Sequence, residues 1–233
     1  MSSFRPATLK ERKYFYEKEF NQKKYLSFFR IKPKFFAVDL GTETKIISDP
    51  KKNNKIIFFR TNNLRKKLIN YLPEDVYYDR NIHKGKKFCL FCLKTKNFFK
   101  CKDFLGQELI FDVDADNIKC SCKKICSKCI NKSVENAFNL AEELEFKLKK
   151  IVYSGRGCHV HVLDKKAYNL SEKERKKLAK KFKKYGIDTW VSEGKIRLVR
   201  LPFSLNGLVS RISIPLNDLQ DFKEKKTLPK FLR

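Results

Sequence analysis

Residues 108–116 read Glu-Leu-Ile-Phe-Asp-Val-Asp-Ala-Asp, an apolar run that ends in acids. The apolar residues from Leu109 to Val113 predict a buried strand. Alternate residues of a strand share one face, so Asp112 and Asp114 stand side by side at its end. Two like charges this close repel unless a cation neutralises them. A hard divalent ion with oxygen ligands would do so, and two such ions can clamp the attacking and leaving oxygens of phosphoryl transfer. The other reading is a solvated acidic turn, and D-x-D alone does not choose between them. Asp116 is expected beyond the strand and outside any metal site.

Charge shifts the balance. Lys and Arg number 54 against 26 acids, a formal net charge of +28 over 233 residues. Such an excess creates a positive field that attracts polyanions, nucleic acid first and an anionic membrane surface second. Acids gathered at one strand end of so basic a chain are therefore suggestive. No stretch reaches the roughly 18 apolar residues of a membrane helix, and Met1–Lys10 lacks a secretory apolar run. These features predict an intracellular, cytoplasmic protein, whose eight cysteines stay reduced and free for metal.

Cys120, Cys122, Cys126 and Cys129 give C-x-C-x3-C-x2-C, four thiolates able to surround one tetrahedral Zn2+. Four protein ligands leave no open position, so the metal's role would be structural. His83, Cys89, Cys92 and Cys101 form a looser set, read equally as a second zinc site or as ordinary surface cysteines. Cys158, beside a glycine turn, reads as packing.

The pattern predicts helices over 10–30, 62–71, 133–150 and 171–185. The last has a Ser171/Glu174 capping box and a stop at Gly186. Strands are expected at 35–40, 55–59, 108–113, 151–154, 159–163, 196–201 and 211–214, with a polar turn at 48–54. Together they make one α+β domain with its chemistry on strand ends and turns. Ser154-Gly155-Arg156-Gly157-Cys158-His159 lies between two strands. Its glycines allow close backbone approach, and its hydroxyl, guanidinium and imidazole suit a triphosphate. An ordinary glycine hairpin is an equal reading. His161 is expected to occupy the sheet. Asp188, in IDTWV, is an isolated acid among apolar residues, needing a shared metal or a salt bridge. Arg197 and Arg200 lie in KIRLVRLPFSLNG, a basic strand edge.

In order, ELIFDVDAD, CSCKKICSKC, YSGRGCHVHV, IDTWV, RLVRLPFSLNG and RISIPL resemble the catalytic small subunit of archaeal and eukaryotic DNA primases. The match covers roughly residues 108–215, and five motifs in register are far more specific than any one. The resemblance implies an α+β fold of the primase catalytic-core type: a mixed sheet with flanking helices over 1–233 and an embedded zinc knuckle at 118–131. It implies that Asp112, Asp114 and Asp188 hold two Mg2+ or Mn2+ ions. Ser154, Arg156 and His159 would bind the nucleotide's phosphates, with Arg200 at a basic phosphate contact. The partners implied are a single-stranded DNA template, nucleoside triphosphates and a primase large subunit.

The sequence departs from the family in three places. The YSGRGCH turn is one residue shorter than the commonest form. Asn206 stands where a histidine is usual, so that role is not carried over. Only a basic helix separates His161 from Asp188, where a larger helical insertion is typical. Two rival functions share some features. A primase-polymerase or end-joining repair polymerase has the acids and the histidine turn, but the knuckle after D-x-D favours a replicative primase. A non-catalytic zinc-containing nucleic-acid binder gains nothing from clustered carboxylates.

Overall fold

The computed structural model describes residues 4–41, 56–84, 98–118 and 126–233. The strands in chain order are β1 (Phe36–Asp39), β2 (Ile56–Phe59), β3 (Asp75–Asp79), β4 (Asn81–His83), β5 (Phe104–Gln107), β6 (Leu109–Asp114), β7 (Lys149–Tyr153), β8 (Gly157–Val162), β9 (Ile187–Asp188), β10 (Leu198–Arg200), β11 (Leu205–Asn206), β12 (Arg211–Ile212) and β13 (Ile214–Leu216). The helices are α1 (Leu9–Tyr14), α2 (Gln22–Phe28), α3 (Leu64–Tyr71), α4 (Ser127–Glu143), α5 (Lys165–Tyr168), α6 (Glu172–Phe182) and α7 (Thr189–Ser192). The α+β class expected from the sequence is seen in these sheets and helices. The chain forms two compact units. One groups the described residues up to Asp79 with Leu198–Ile214 and Lys223–Arg233; the other groups Arg80–Arg197 with Pro215–Phe222. Among the described residues no helix is long and apolar enough to cross a membrane. The polar turn predicted at 48–54 lies outside the described residues.

The first unit carries a four-stranded sheet in the order β10-β3-β1-β2, with every neighbouring pair antiparallel. The single helix expected over 10–30 is instead three pieces: α1, a π-helical turn at Phe15–Glu19, and α2. Asn21 restarts the helix because its side chain accepts the amides of Lys23 and Lys24, the local bond that draws Asn to helix starts. The break turns aromatic residues inward. Phe15, Tyr16, Phe20 and Tyr25 are buried and meet edge-on or stacked, with Tyr25 against Phe36 of β1. Arg12 is wholly buried. It donates to the carbonyls of Ala7 and Leu40 and pairs with Glu74 at 2.7 Å.

The second unit is built on a five-stranded sheet in the order β13-β7-β8-β6-β9. β6 lies between β8 and β9 and is antiparallel to both. Leu109, Ile110, Phe111 and Val113 are fully buried, which accounts for the apolar run of this strand. Phe111 meets Phe182 of α6 edge-on at 5.5 Å. α6 has the Ser171/Glu174 capping box, and Gly186 closes the following turn at φ 75°. α4 buries Ile130, Val134, Ala137 and Leu140, one stripe at helical spacing, and packs against β6, β7 and β8. It starts earlier than its periodicity suggests, capped by Cys126, and ends at Glu143. Lys149 explains the earlier end: its ammonium binds the carbonyls of Ala141 and Leu144, closing the helix while its own backbone begins β7.

Replacing Glu74 with Ala would strand the buried Arg12 guanidinium without its counter-charge. The expected loss is about 3–5 kcal/mol of unfolding free energy. Denaturant titration of wild type and Glu74→Ala measures it, and a loss within error of zero would refute the importance of the pair.

Candidate active site

The register of the second sheet assembles the site. Asp112 of β6 stands opposite His159 of β8 on one side and Asp188 of β9 on the other. Three adjacent strands thus place Asp188, Asp112 and His159 in one row across the sheet. Directly opposed residues of antiparallel strands have Cβ atoms about 4.5–5.5 Å apart, near enough for their side chains to share a ligand. Asp114, two residues along, lies on the same face as Asp112 and opposite Gly157. The solvated-turn reading of D-x-D does not describe this placement, since the acids lie inside a paired strand.

The side chains are held by local bonds. His159 Nε2 lies 3.4 Å from Asp112 Oδ1. Asp114 caps a 3-10 turn at Ala115–Asn117, accepting the amide of Asp116 at 3.0 Å. Asp188 caps α7, accepting the amide of Trp190 at 2.8 Å. Each bond uses one carboxylate oxygen. Burial pushes the Asp114 carboxyl above its ordinary range; the Asp116 amide opposes this, and the charges of Asp116 and Asp188 add to it. As these side chains stand, no group of three or more His, Cys, Asp or Glu among the described residues is drawn together tightly enough to hold a metal ion. The backbone brings the acids together, while two of the carboxylates are turned to turn-capping amides.

The glycine turn sits between β7 and β8. The Ser154 amide bonds to the Gly157 carbonyl, and the Tyr153 hydroxyl to the Gly155 carbonyl. Gly155 has φ 103°, a region that L side chains rarely adopt. Gly157 has a different reason to be glycine: a Cβ there would stand 2.2 Å from the Val113 carbonyl oxygen and 3.0 Å from Asp114 Cα. Close approach is required at this position, and what approaches is the neighbouring acidic strand. Arg156 forms an ion pair with Asp116, and its carbonyl accepts the amide of Ala115. Ser154 and His159 are buried.

Other predicted residues fall elsewhere. Arg200 belongs to the first unit, where its guanidinium pairs with Asp75 at 2.5 Å and lies over the Tyr77 ring. Burial works against this charge, but Asp75 and Tyr77 hold the guanidinium above its usual range. His161 is fully buried and its Nδ1 lies 3.0 Å from Glu108 Oε1. Cys158 is fully buried as packing, and burial pushes its thiol up. The sulfurs of Cys126 and Cys129 lie 3.4 Å apart at the start of α4. Cys120 and Cys122 lie outside the described residues, as do Cys89 and Cys92. His83 and Cys101 are both buried in the same unit.

Sequence reasoning missed three partners: Asp116 for Arg156, Glu108 for His161 and Asp75 for Arg200. Asp116 had a signal, since it stands two residues beyond Asp114 and a 3-10 turn would bring it round. Nothing local marked the other two.

A sequence model of the DNA primase small subunit matches residues 111–186, which contain Asp112, Asp114 and the whole glycine turn. An uncharacterized DNA primase small subunit-like protein of Archaeoglobus fulgidus is 39% identical, over 98% of this chain and 91% of its own. The DNA primase small subunit PriS of Pyrobaculum calidifontis is 27% identical, over 66% of this chain and 63% of its own. Among solved structures, the polymerase domain of Mycobacterium tuberculosis Ligase D in complex with DNA is similar at TM-score 0.49. It is 11% identical, and the alignment covers 90% of this chain and 81% of that one. The chain therefore spans nearly all of the first relative and less than two thirds of the second. Identity along almost the full length of the Archaeoglobus protein, with the acidic strand and glycine turn inside the matched region, makes this chain a member of the DNA primase small-subunit family.

Proposed function

We propose that the chain is a DNA-directed nucleotidyltransferase that synthesises short RNA primers on a single-stranded DNA template. The observation that carries this reading is the row Asp188–Asp112–His159 on three adjacent strands, with Asp114 one step along the same face. A protein that only bound polyanions would gain nothing from three carboxylates gathered on one face of a sheet.

Asp112, Asp114 and Asp188 are the residues that would hold Mg2+ or Mn2+. Hard oxygen donors on one face of the sheet suit such ions; burial raises the Asp114 carboxyl, and the charges of Asp116 and Asp188 add to it. When bound, the metal supplies electrostatic stabilisation of the attacking 3′ oxygen and the pyrophosphate leaving group. The chain's own residues do the positioning. Asp114 and Asp188, each with one oxygen bound to a capping amide, would hold the ion through their carboxylates. His159, held beside Asp112, and Ser154 contact the triphosphate. Arg156 would exchange Asp116 for a phosphate oxygen; Arg200, paired with Asp75 in the first unit, is a phosphate contact on the family resemblance alone. The net charge of +28 suits a template held by its backbone, with affinity that falls as salt rises. The partners under this reading are single-stranded DNA, nucleoside triphosphates and a primase large subunit.

Cys120, Cys122, Cys126 and Cys129 would hold a structural Zn2+. Two sulfurs on a tetrahedral zinc with bonds of about 2.3 Å sit about 3.8 Å apart. The sulfurs of Cys126 and Cys129, 3.4 Å apart, lie near that spacing. Their place at the start of α4 favours thiolates, because a helix N-terminus stabilises negative charge.

A primer-synthesis assay on single-stranded DNA without added primer tests the catalytic assignment. Asp112→Asn and Asp114→Asn should each abolish synthesis while leaving the fold and DNA affinity intact, and wild-type-like synthesis by either would be fatal to it. His159→Ala should weaken nucleotide affinity by about 1.5–3 kcal/mol, the worth of a charge-assisted contact, with template affinity little changed. Lost DNA affinity with nucleotide affinity kept would remove His159 from the nucleotide site. Metal analysis of purified protein should find about one zinc per chain held by the knuckle. Cys126→Ser with Cys129→Ser should release it and lower stability. A fully folded, zinc-free preparation would rule out the structural role.

A further inference from the structure

Trp190 is the only tryptophan of the chain and is 51% exposed. Leaving so large an apolar ring in water is a cost, and here it falls two residues after Asp188. The Trp190 amide is the one that Asp188 Oδ1 accepts at 2.8 Å, so ring and carboxylate are fixed to the same turn. Gly194, at φ 89°, bends the chain back, letting the Lys195 amide bond to the Trp190 carbonyl at 3.1 Å. The Lys195 ammonium then lies 5.0 Å over the indole centroid and is pinned by Glu193 at 2.8 Å. The ring is thus backed by a fixed cation and presents a large remaining surface to solvent, beside an acid of the row Asp188–Asp112–His159.

We infer that Trp190 is a stacking platform for a base of the nucleic-acid strand that passes the acidic row. The inference rests on the polymerase reading and adds a contact that reading does not contain. Single strands are held by a positive field along the backbone together with aromatic rings on which bases stack. Trp190 with Lys195 supplies both on one turn, in a chain of net charge +28. A base seated there lies next to the position where Asp188 acts, so the platform would fix the strand's advance relative to the reacting phosphate. Stacking is indifferent to base identity, which suits an enzyme that must copy any sequence.

The emission of a single tryptophan reports this residue alone. Without added Mg2+ or Mn2+ and without nucleotide, so that no synthesis occurs, a short single-stranded oligothymidylate should quench it saturably. An abasic strand of equal length should leave it nearly unchanged. With a labelled oligonucleotide, Trp190→Ala should weaken affinity about 5- to 150-fold, while Trp190→Phe stays near wild type. The slope of affinity against salt should be the same in all three, because no phosphate contact is lost. Equal quenching by the abasic strand would mean a backbone contact through Lys195 and overturn the inference. Quenching by a nucleoside triphosphate with Mg2+ but not by the oligonucleotide would also overturn it, since the base would then be the incoming one. Tight oligonucleotide binding without quenching would overturn it while leaving the polymerase reading intact. Quenching by a chain that never extends a template under either metal would do the reverse.

Discussion

The site depends on the register of one strand. β6 is held on both sides by antiparallel partners, and a slip of one residue against either would turn the whole partner strand over. Asp188 would then leave the face of Asp112, or His159 would. Two local features hold the register. Gly157 lies so close to the Val113 carbonyl and Asp114 Cα that no other residue fits opposite Asp114. The amide of Ala115, just past the strand end, is tied to the carbonyl of Arg156. The glycine of the turn is therefore a register pin as much as a loop residue, and the acids of β6 owe their alignment to it.

The same unit uses buried cations to close its backbone. Arg80 donates to the carbonyls of Ile196, Glu108 and Val191, and Arg175 to those of Leu170, Gln107 and Ala167. Burial, helped by the charge of Arg80, lowers the Arg175 guanidinium to about 9. Part of the basic excess thus lies inside, donating to backbone carbonyls. Surface lysines make up much of the remainder, and they give the positive field its reach.

Much of this was legible in the sequence where the signal was local. The alternation of ELIFDVD, the Ser171/Glu174 capping box and the stop at Gly186 each rest on a few neighbouring residues, and each has its expected form. The helix over 10–30 was misjudged because its aromatic residues continue through a break that one Asn side chain makes. The start of α4 was hidden because Cys126 acts as its cap, a role its spacing to other cysteines does not advertise. The pairing of Asp112 with Asp188 could not be read at all from periodicity. It is a contact between strands far apart in the chain, and only the family resemblance joined them. The partners of Arg200 and His161 are of the same kind, set by sheet order and not by spacing.

The ion pair between Arg156 and Asp116 has a further consequence. An unengaged arginine carries about 2 kcal/mol of rotamer freedom that any ligand must suppress. Asp116 has already suppressed it, in a partly exposed pair of the kind worth only about 0–1 kcal/mol. An arriving anion meets a guanidinium that is ordered but weakly engaged, and the exchange of one oxygen for another resembles a handover more than a capture. Asp116, which lies outside the acidic row, would under the proposed reading stand in for the phosphate between encounters.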